Sequence, residues 1–557
     1  MNTLLTSLAP DRLREHYGSG FWRDETIYSL VQDHARATPD KIAVTNQHGS
    51  ISYARLIAAA DAFAEDLGRR GLRAGQRVAA WLPSRIETAI IVLACSREGF
   101  VCCPSLHRSH TAEEVVALLQ RVRAAALVVQ RGYGVDADHH DIASRVRTLE
   151  SLRSIYHLSP SGPGELEGLS RVLLTDGRRP PPPSPSPSPP ASPDRIVYLA
   201  FTSGTTGEPK GVLHSDNTLL ANARSLAADW NIGTRSVVYS LSPLSHNLGF
   251  GALVMTLAVG GQLVLNDLPR GQGLVDRLNE VGATFLFGVP THAIDLLREL
   301  RATGASVPTL KGFRVSGAAA PREVIEELLQ YGILPQSGYG MTETCSHQYT
   351  LPTDSPERIA ETCGHACPGY EVRIWDSSDA DIELPTGEIG QIGGRGASLM
   401  LGYFDDQAGT ENAFNSFGWF MTGDLGSLDT DGYLRIVGRK KDVIIRGGHN
   451  IYPARIEALA TQHPAIRQAA AIPIADARLG EKVCLTATFH PGKTVTPIQV
   501  LAHLAAAGLS KYDMPEYFLA LEEFPETPSG KIRKQEIIAL ITTGSVKPIA
   551  VRWSGNL

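Results

Sequence analysis

Residues 198–214 read Tyr198-Leu-Ala-Phe-Thr-Ser-Gly-Thr-Thr-Gly-Glu-Pro-Lys-Gly-Val-Leu-His214. The apolar run from Tyr198 to Phe201 reads as a strand, and it empties into Thr202, Ser203, Gly204, Thr205, Thr206, Gly207 and, past a proline, Lys210. Glycines let successive backbone N–H groups point into one concavity, which binds anionic oxygens. The hydroxyls add donors and Lys210 adds a mobile positive charge. This is phosphate-handling chemistry. It is not a Walker A loop, in which Gly-Lys-Ser/Thr closes the turn.

The chain has 557 residues, too many for one ordinary core, so at least two domains are expected. Hydrophobic content of 43% and 20% charged residues fit a soluble globular protein. A net charge of −6 argues against a nucleic-acid binder. Seven scattered cysteines, with Asp11, Arg12 and Arg14 following too soon after Leu4 and Leu5 for a secretory leader, point to reduced thiols in the cytoplasm. The uncharged stretch Asn247–Asn266 is long enough to raise a membrane span. Its glycines and Gln262 divide it into a buried helix and a strand instead, so no span is expected.

Leu56, Ala60, Phe63 and Leu67 recur at helical spacing over 53–68, and a strand over Arg77–Leu82, a helix over Arg85–Arg97 and a strand over Phe100–Cys103 follow. Helices alternating with apolar strands predict an α/β fold with parallel pairing. Residues 177–194, rich in Pro and Ser, cannot bury apolar surface and read as a tether inserted before the phosphate loop. Over 371–437 the pattern changes to short strands at Glu371–Trp375, Gly387–Gly390 and Gly432–Val437, a small β subdomain. A glycine- and lysine-rich segment, Gly438 to Gly448, then leads into a fresh βα pattern. The expected domains are therefore 1–438 and a small α+β domain at 439–557.

The loop Thr202–Lys210 resembles the signature of the adenylate-forming superfamily, which holds acyl-CoA synthetases, peptide-synthetase adenylation domains and beetle luciferases. The resemblance runs from about residue 25 to 540, with the 177–194 tether as its main departure, and three further motifs match in order. In Gly338-Tyr339-Gly340-Met341-Thr342-Glu343, the resemblance makes Glu343 the Mg2+-associated carboxylate, Thr342 a phosphate contact and Tyr339 a face for adenine. Gly317, Ala318 and Ala319, upstream, match the turn along which adenine lies. In Gly418–Leu425, Asp424 matches the ribose aspartate. In Gly438–Pro453, Arg439 matches the second ribose contact, with Ile436 beside the nucleotide. There Lys441 matches the hinge, and Gly447, Gly448 and His449 the loop that meets the pantetheine arm. Lys531, on a Pro/Gly turn, matches the lysine that neutralises charge between carboxylate and α-phosphate.

What the resemblance implies is ATP- and Mg2+-dependent adenylation of a carboxylic acid, then transfer to the thiol of coenzyme A after the small domain swivels. His246, Asn247, Leu248, Phe250, Phe287, Val289, Gly317 and Met341 match the acyl-pocket wall, with His246 also at the thiol tunnel. That wall has no aspartate to pair an α-amine, which argues against an amino acid. Its apolar members favour an aliphatic, alicyclic or other bulky acid. His246-Asn247 also resembles aryl-acid activators, so a hydroxybenzoate stays open. A pantetheine thiol on a separate acyl carrier protein is the alternative acceptor, and an adenylate binder without turnover or a luciferase-like oxygenase is the alternative class. A monomer or homodimer is expected. Cys345, His347, Cys363, His365 and Cys367 lack standard zinc spacing and are read as no metal site.

Overall fold

The computed structural model describes residues 10–137, 142–146, 148–160, 192–202, 209–268, 271–318, 320–447, 449–526 and 532–553. Of the residues singled out above, Ser203, Gly204, Thr205, Thr206, Gly207, Ala319, Gly448, Lys531 and most of the Pro/Ser tether lie outside this set. The chain divides into two compact units, Met1–Val372 with Gly394–Phe420, and Arg373–Gly393 with Met421–Leu557.

The first unit is α/β. Among the described residues, a nine-stranded sheet runs His365–Ala366, Cys345–Tyr349, Leu334–Met341, Gly312–Ser316, Phe285–Gly288, Val237–Ser240, Gln262–Leu265, Ile42–Asn46 and Gly49–Ser52. From Leu334–Met341 to Ile42–Asn46 its neighbours are parallel. A seven-stranded sheet runs Gly402–Tyr403, Lys210–Ser215, Ile196–Thr202, Val101–Cys103, Arg77–Trp81, Ala124–Gln130 and Ser154–Leu158. One apolar core contains side chains of both sheets and of the helices Tyr53–Arg69, Ile86–Glu98 and Asn247–Ala258.

Local chemistry accounts for the elements. Tyr53–Arg69 starts where the Ser52 hydroxyl accepts from Arg55 N, and it buries Leu56, Ala60, Phe63 and Leu67, the periodic set. The uncharged stretch resolves into the helix Asn247–Ala258 and the strand Gln262–Leu265. No helix among the described residues is long and apolar enough to cross a membrane.

The second unit holds most of a four-stranded sheet, Tyr370–Trp375, Gly390–Gly396, Phe420–Leu428 and Leu434–Arg439. It also holds a sheet in which Ile466–Asp476 and Gly480–Phe489 form a long antiparallel pair backed by the helices Pro453–Thr461 and Pro497–Ala506. One strand expectation is corrected. Residues 385–388 form a turn, closed by Glu388 N donating to Pro385 O at 3.2 Å while Gly387 N donates to Leu428 O, and the strand starts only at Gly390.

Candidate active site

The signature strand Ile196–Thr202 does not lead into a helix. It returns antiparallel as Lys210–Ser215, with Thr202 opposite Lys210, so the phosphate loop joins two strands. Thr202 and Lys210 are half-buried at the mouth of that loop. Ser215 then caps the helix Asp216–Asp229 through a capping box with Thr218, which fixes where the strand ends.

A second segment braces this strand. Gly402–Tyr403 pairs with Leu213 and Val212, and Phe404 N donates to Gly211 O at 2.7 Å. The Tyr403 ring lies under Lys210, whose Nζ is 4.5 Å from the ring centroid. The Tyr403 hydroxyl donates to Glu343 Oε1 at 3.0 Å, and both side chains are buried. Burial first, and the Glu343 charge second, push the Tyr403 phenol well up, so it remains a donor. Met400 N also donates to Glu343 O at 2.7 Å, and the Ser398 hydroxyl to Thr344 O at 3.2 Å.

Thr342 and Glu343 occupy the tight turn between the antiparallel strands Leu334–Met341 and Cys345–Tyr349. Gly340 is required there, because a Cβ would collide with the Cys345 carbonyl. The turn is anchored to the strand Lys210–Ser215 by His214, whose Nε2 is 2.7 Å from Thr342 O and whose Nδ1 is 3.0 Å from Thr218 Oγ1. A carbonyl only accepts, so Nε2 carries the proton, and burial pushes the imidazole down to about 4, which keeps it neutral at physiological pH.

Ser316, the last residue of its strand, pairs with Gly338 within the adjacent parallel strand, and the Ser316 hydroxyl donates to Gly338 O at 3.0 Å. Gly317 and Ala318 are exposed just beyond, the carboxyl edge where α/β sheets take ligands. Tyr339, 9% exposed, meets His347 edge-on at 5.3 Å. Gly317 has φ +93°, and a Cβ added there would sit 3.5 Å from Val289 Cγ1. Asn247 Nδ2 reaches Met341 O at 3.5 Å, so Asn247, Val289, Gly317 and Met341 surround one end of the sheet, with Leu248 half-buried on the same helix as Asn247. Phe250 and Phe287 are fully buried, and Phe250 stacks on Tyr198 at 4.0 Å, so its ring supports the signature strand. His246 begins the helix Asn247–Ala258 with its ring 5.5 Å from His107, whose Nδ1 is 3.1 Å from Ser245 Oγ. Burial, then His246 and His110, push His107 down to about 3.

In the second unit Asp424 and Arg439 are cross-strand partners, with Arg439 Nε 3.2 Å from Asp424 Oδ1. Asp424 N donates to Thr422 Oγ1 at 3.1 Å, and the Thr422 hydroxyl donates to Ile392 O. Ile436 is exposed on the same strand as Arg439. Lys441 lies in the short 3-10 turn Lys440–Asp442, where Lys440 Nζ donates to Gln391 Oε1 at 3.1 Å. Gly447 N donates to Leu479 O at 2.7 Å, and His449 Nε2 is 2.7 Å from Asp513 Oδ1.

His214 and Tyr403 are the residues that sequence reasoning did not assign. His214 closes the quoted stretch, and only its burial beside Thr342 reveals its use. Tyr403 follows the uncharged run Ala397–Gly402, which carries no chemical signal. The five Cys and His residues at 345–367 do not assemble, since among the described residues no three such side chains are grouped to hold a metal.

With this geometry in view, comparison with known proteins gives the class. The profile of the AMP-binding enzyme family matches residues 31–404, and that of its C-terminal domain matches 455–531. The chain belongs to this family, in its acyl-CoA synthetase branch. It is 32% identical to the medium-chain fatty-acid–CoA ligase of Escherichia coli over 92% of this chain and 90% of the other. With human mitochondrial medium-chain acyl-CoA ligase it shares 27% over 92% and 86%. Among solved structures, ATP-bound MatB from Rhodopseudomonas palustris is similar with TM-score 0.81 and 28% identity, over 93% and 99% of the two chains. The acyl-adenylate complex of Bacillus subtilis o-succinylbenzoate CoA synthetase is similar with TM-score 0.78 and 25% identity, over 92% and 98%. The protein is thus an ATP-dependent, AMP-forming acyl-CoA ligase.

Proposed function

We propose that the enzyme activates an apolar aliphatic acid of medium length, as an acyl-adenylate and then as the acyl-CoA. The observation that carries this reading is the group Asn247, Leu248, Val289, Gly317 and Met341 at the carboxyl edge of the sheet, which is lined by neutral side chains beside the Glu343 turn. Related ligases named for medium-chain acids agree with it. An alicyclic or other bulky apolar acid uses the same surfaces.

In this reading the loop 202–207 and Lys210 hold the phosphates, and Thr342 adds a hydroxyl. Gly317, Ala318, Ala319 and Gly338–Met341 take the adenine, and Asp424, Ile436 and Arg439 the ribose end. Mg2+ fits the donor set. Glu343 is a buried carboxylate held in direction by a phenol, and a single carboxylate with phosphate oxygens and water suits a small hard cation. Bound there, the ion would neutralise triphosphate charge. Lys531 neutralises charge between the acid and the α-phosphate, so that in-line attack expels pyrophosphate. The small domain, taken from residue 439, then turns at Lys441 and brings Gly447, Gly448 and His449 to the pantetheine thiol, near His246. CoA is the acceptor favoured by the ligase relatives, and the reaction belongs in a reducing cytoplasm, where the seven free cysteines persist as thiols.

The test is mass spectrometry of reactions with ATP, Mg2+, CoA and a panel of fatty, alicyclic and aromatic acids. A medium-chain acyl-CoA is the expected product. Preference for a hydroxybenzoate would overturn the acid, and adenylate accumulating with CoA untouched would overturn the acceptor.

A further inference from the structure

Tyr403 is a buried phenol serving two charged groups at once. A phenylalanine would fill the same core space, so burial does not account for the hydroxyl. The hydroxyl is spent on Glu343 Oε1, and the face of the ring on the Lys210 ammonium. The backbone that carries it is pinned from two sides, by pairing with Val212 and Leu213 and by Tyr403 N donating to Thr410 Oγ1 at 2.9 Å. The same segment grips the backbone of Glu343 through Met400 N and that of Thr344 through Ser398 Oγ. Lys210 and Glu343 come from different sheets, and a side chain of either kind has several rotatable bonds to lose on ordering.

We propose that Tyr403 is a positioning residue that couples the phosphate-loop lysine to the Glu343 carboxylate, setting their separation before ATP arrives. The inference rests on the proposed roles of Lys210 and Glu343 and adds a part that touches neither acid nor nucleotide. A donor fixed on one carboxylate oxygen orients the other, and a ring beneath Lys210 limits the directions open to its ammonium.

The experiment compares Tyr403→Phe, Tyr403→Leu, Lys210→Ala and the Lys210→Ala/Tyr403→Leu double variant in the full chain. ATP affinity is read by calorimetry without acid, and adenylate formation by pyrophosphate release. Tyr403→Phe keeps the ring and loses the hydroxyl, so ATP affinity is expected within twofold of the parent while kcat for adenylation falls roughly tenfold. Tyr403→Leu loses both, and ATP affinity is expected to fall roughly tenfold as well. Because the ring acts through Lys210, the double variant should bind ATP within twofold of Lys210→Ala alone. Unchanged kcat in Tyr403→Phe, or fully multiplicative losses in the double variant, would overturn the proposal. Tyr403→Phe is the conservative replacement, so its kinetics decide even if Tyr403→Leu folds poorly. Failure of the functional reading looks different. It is a parent enzyme that releases no pyrophosphate with any acid, whereas the coupling is read from ATP binding without acid.

Discussion

The Lys210–Tyr403–Glu343 cluster of the first unit and the Asp424–Arg439 and His449–Asp513 pairs of the second are built on opposite principles. In the first, the contacts are buried: a phenol on the Glu343 carboxylate, a neutral imidazole on Thr342 O and a backbone N–H on Glu343 O. In the second, one member of each pair faces water, Arg439 at 48% and His449 at 52% side-chain exposure, against 12% for Asp424 and 21% for Asp513. Breaking a buried polar contact incurs the full desolvation cost of the group left behind, whereas exposed ion pairs exchange with water at little loss. A site that must hold phosphates in one geometry gains from the first design. A surface that must release and re-form its contacts, as a swivelling domain would, needs the second.

The comparison breaks if substitutions in the two regions affect the half-reactions alike. Lys531→Ala carries the largest expected effect, a loss of roughly 10²–10³-fold in adenylate formation, with thioester formation from supplied acyl-adenylate largely intact. Both half-reactions measured on one preparation check it, and equal losses would contradict a mobile C-terminal role. Asp424→Ala should raise KM for ATP by roughly 10–10²-fold, the loss of hydrogen bonds from an ionised acceptor, while KM for the acid stays within twofold.

The buried design also predicts a pH dependence of stability. His214 is depressed to about 4 in the fold, against 6.5 for an unperturbed imidazole. The unfolded chain therefore binds the proton first, and the contribution of this residue is intact above pH 6.5 and lost as pH falls toward 4. At pH 5 that is a loss of roughly 2 kcal/mol. His214→Gln should start less stable at pH 7 and lose less between pH 7 and pH 5, as urea unfolding at both values would reveal. The smallest effect is expected at the surface. Asp513→Asn should change the thioester half-reaction by less than about threefold and leave adenylation unchanged, because its partner His449 is half in water. A tenfold loss there would mean that the pair is buried in the working enzyme.

Much of this was legible in one chain of letters. The helices at Tyr53–Arg69 and Ile86–Glu98 and the strand at Arg77–Trp81 follow from local periodicity, which burial on one or all faces imposes. The Gly387–Gly390 segment did not follow, because Glu388 N closes a turn on Pro385 O and Gly387 N is taken by Leu428 O, distant in sequence, so the strand begins only at Gly390. The grouping of 373–393 with the chain after 421 is likewise a matter of non-local contacts.

The class of chemistry is written in the residues of the chain. Glycines, hydroxyls and lysine in Thr202–Lys210, and the carboxylates Glu343 and Asp424 in their motifs, are chemical identities, and those are written locally. How they are held depends on the folded arrangement. It brought Tyr403 from an unremarked apolar run to stand between Lys210 and Glu343, and it set His214 under Thr342. It also stacked Phe250 on Tyr198. Support of that kind depends on which strands lie side by side, and strand order is fixed by the packing of the whole core rather than by neighbours in sequence.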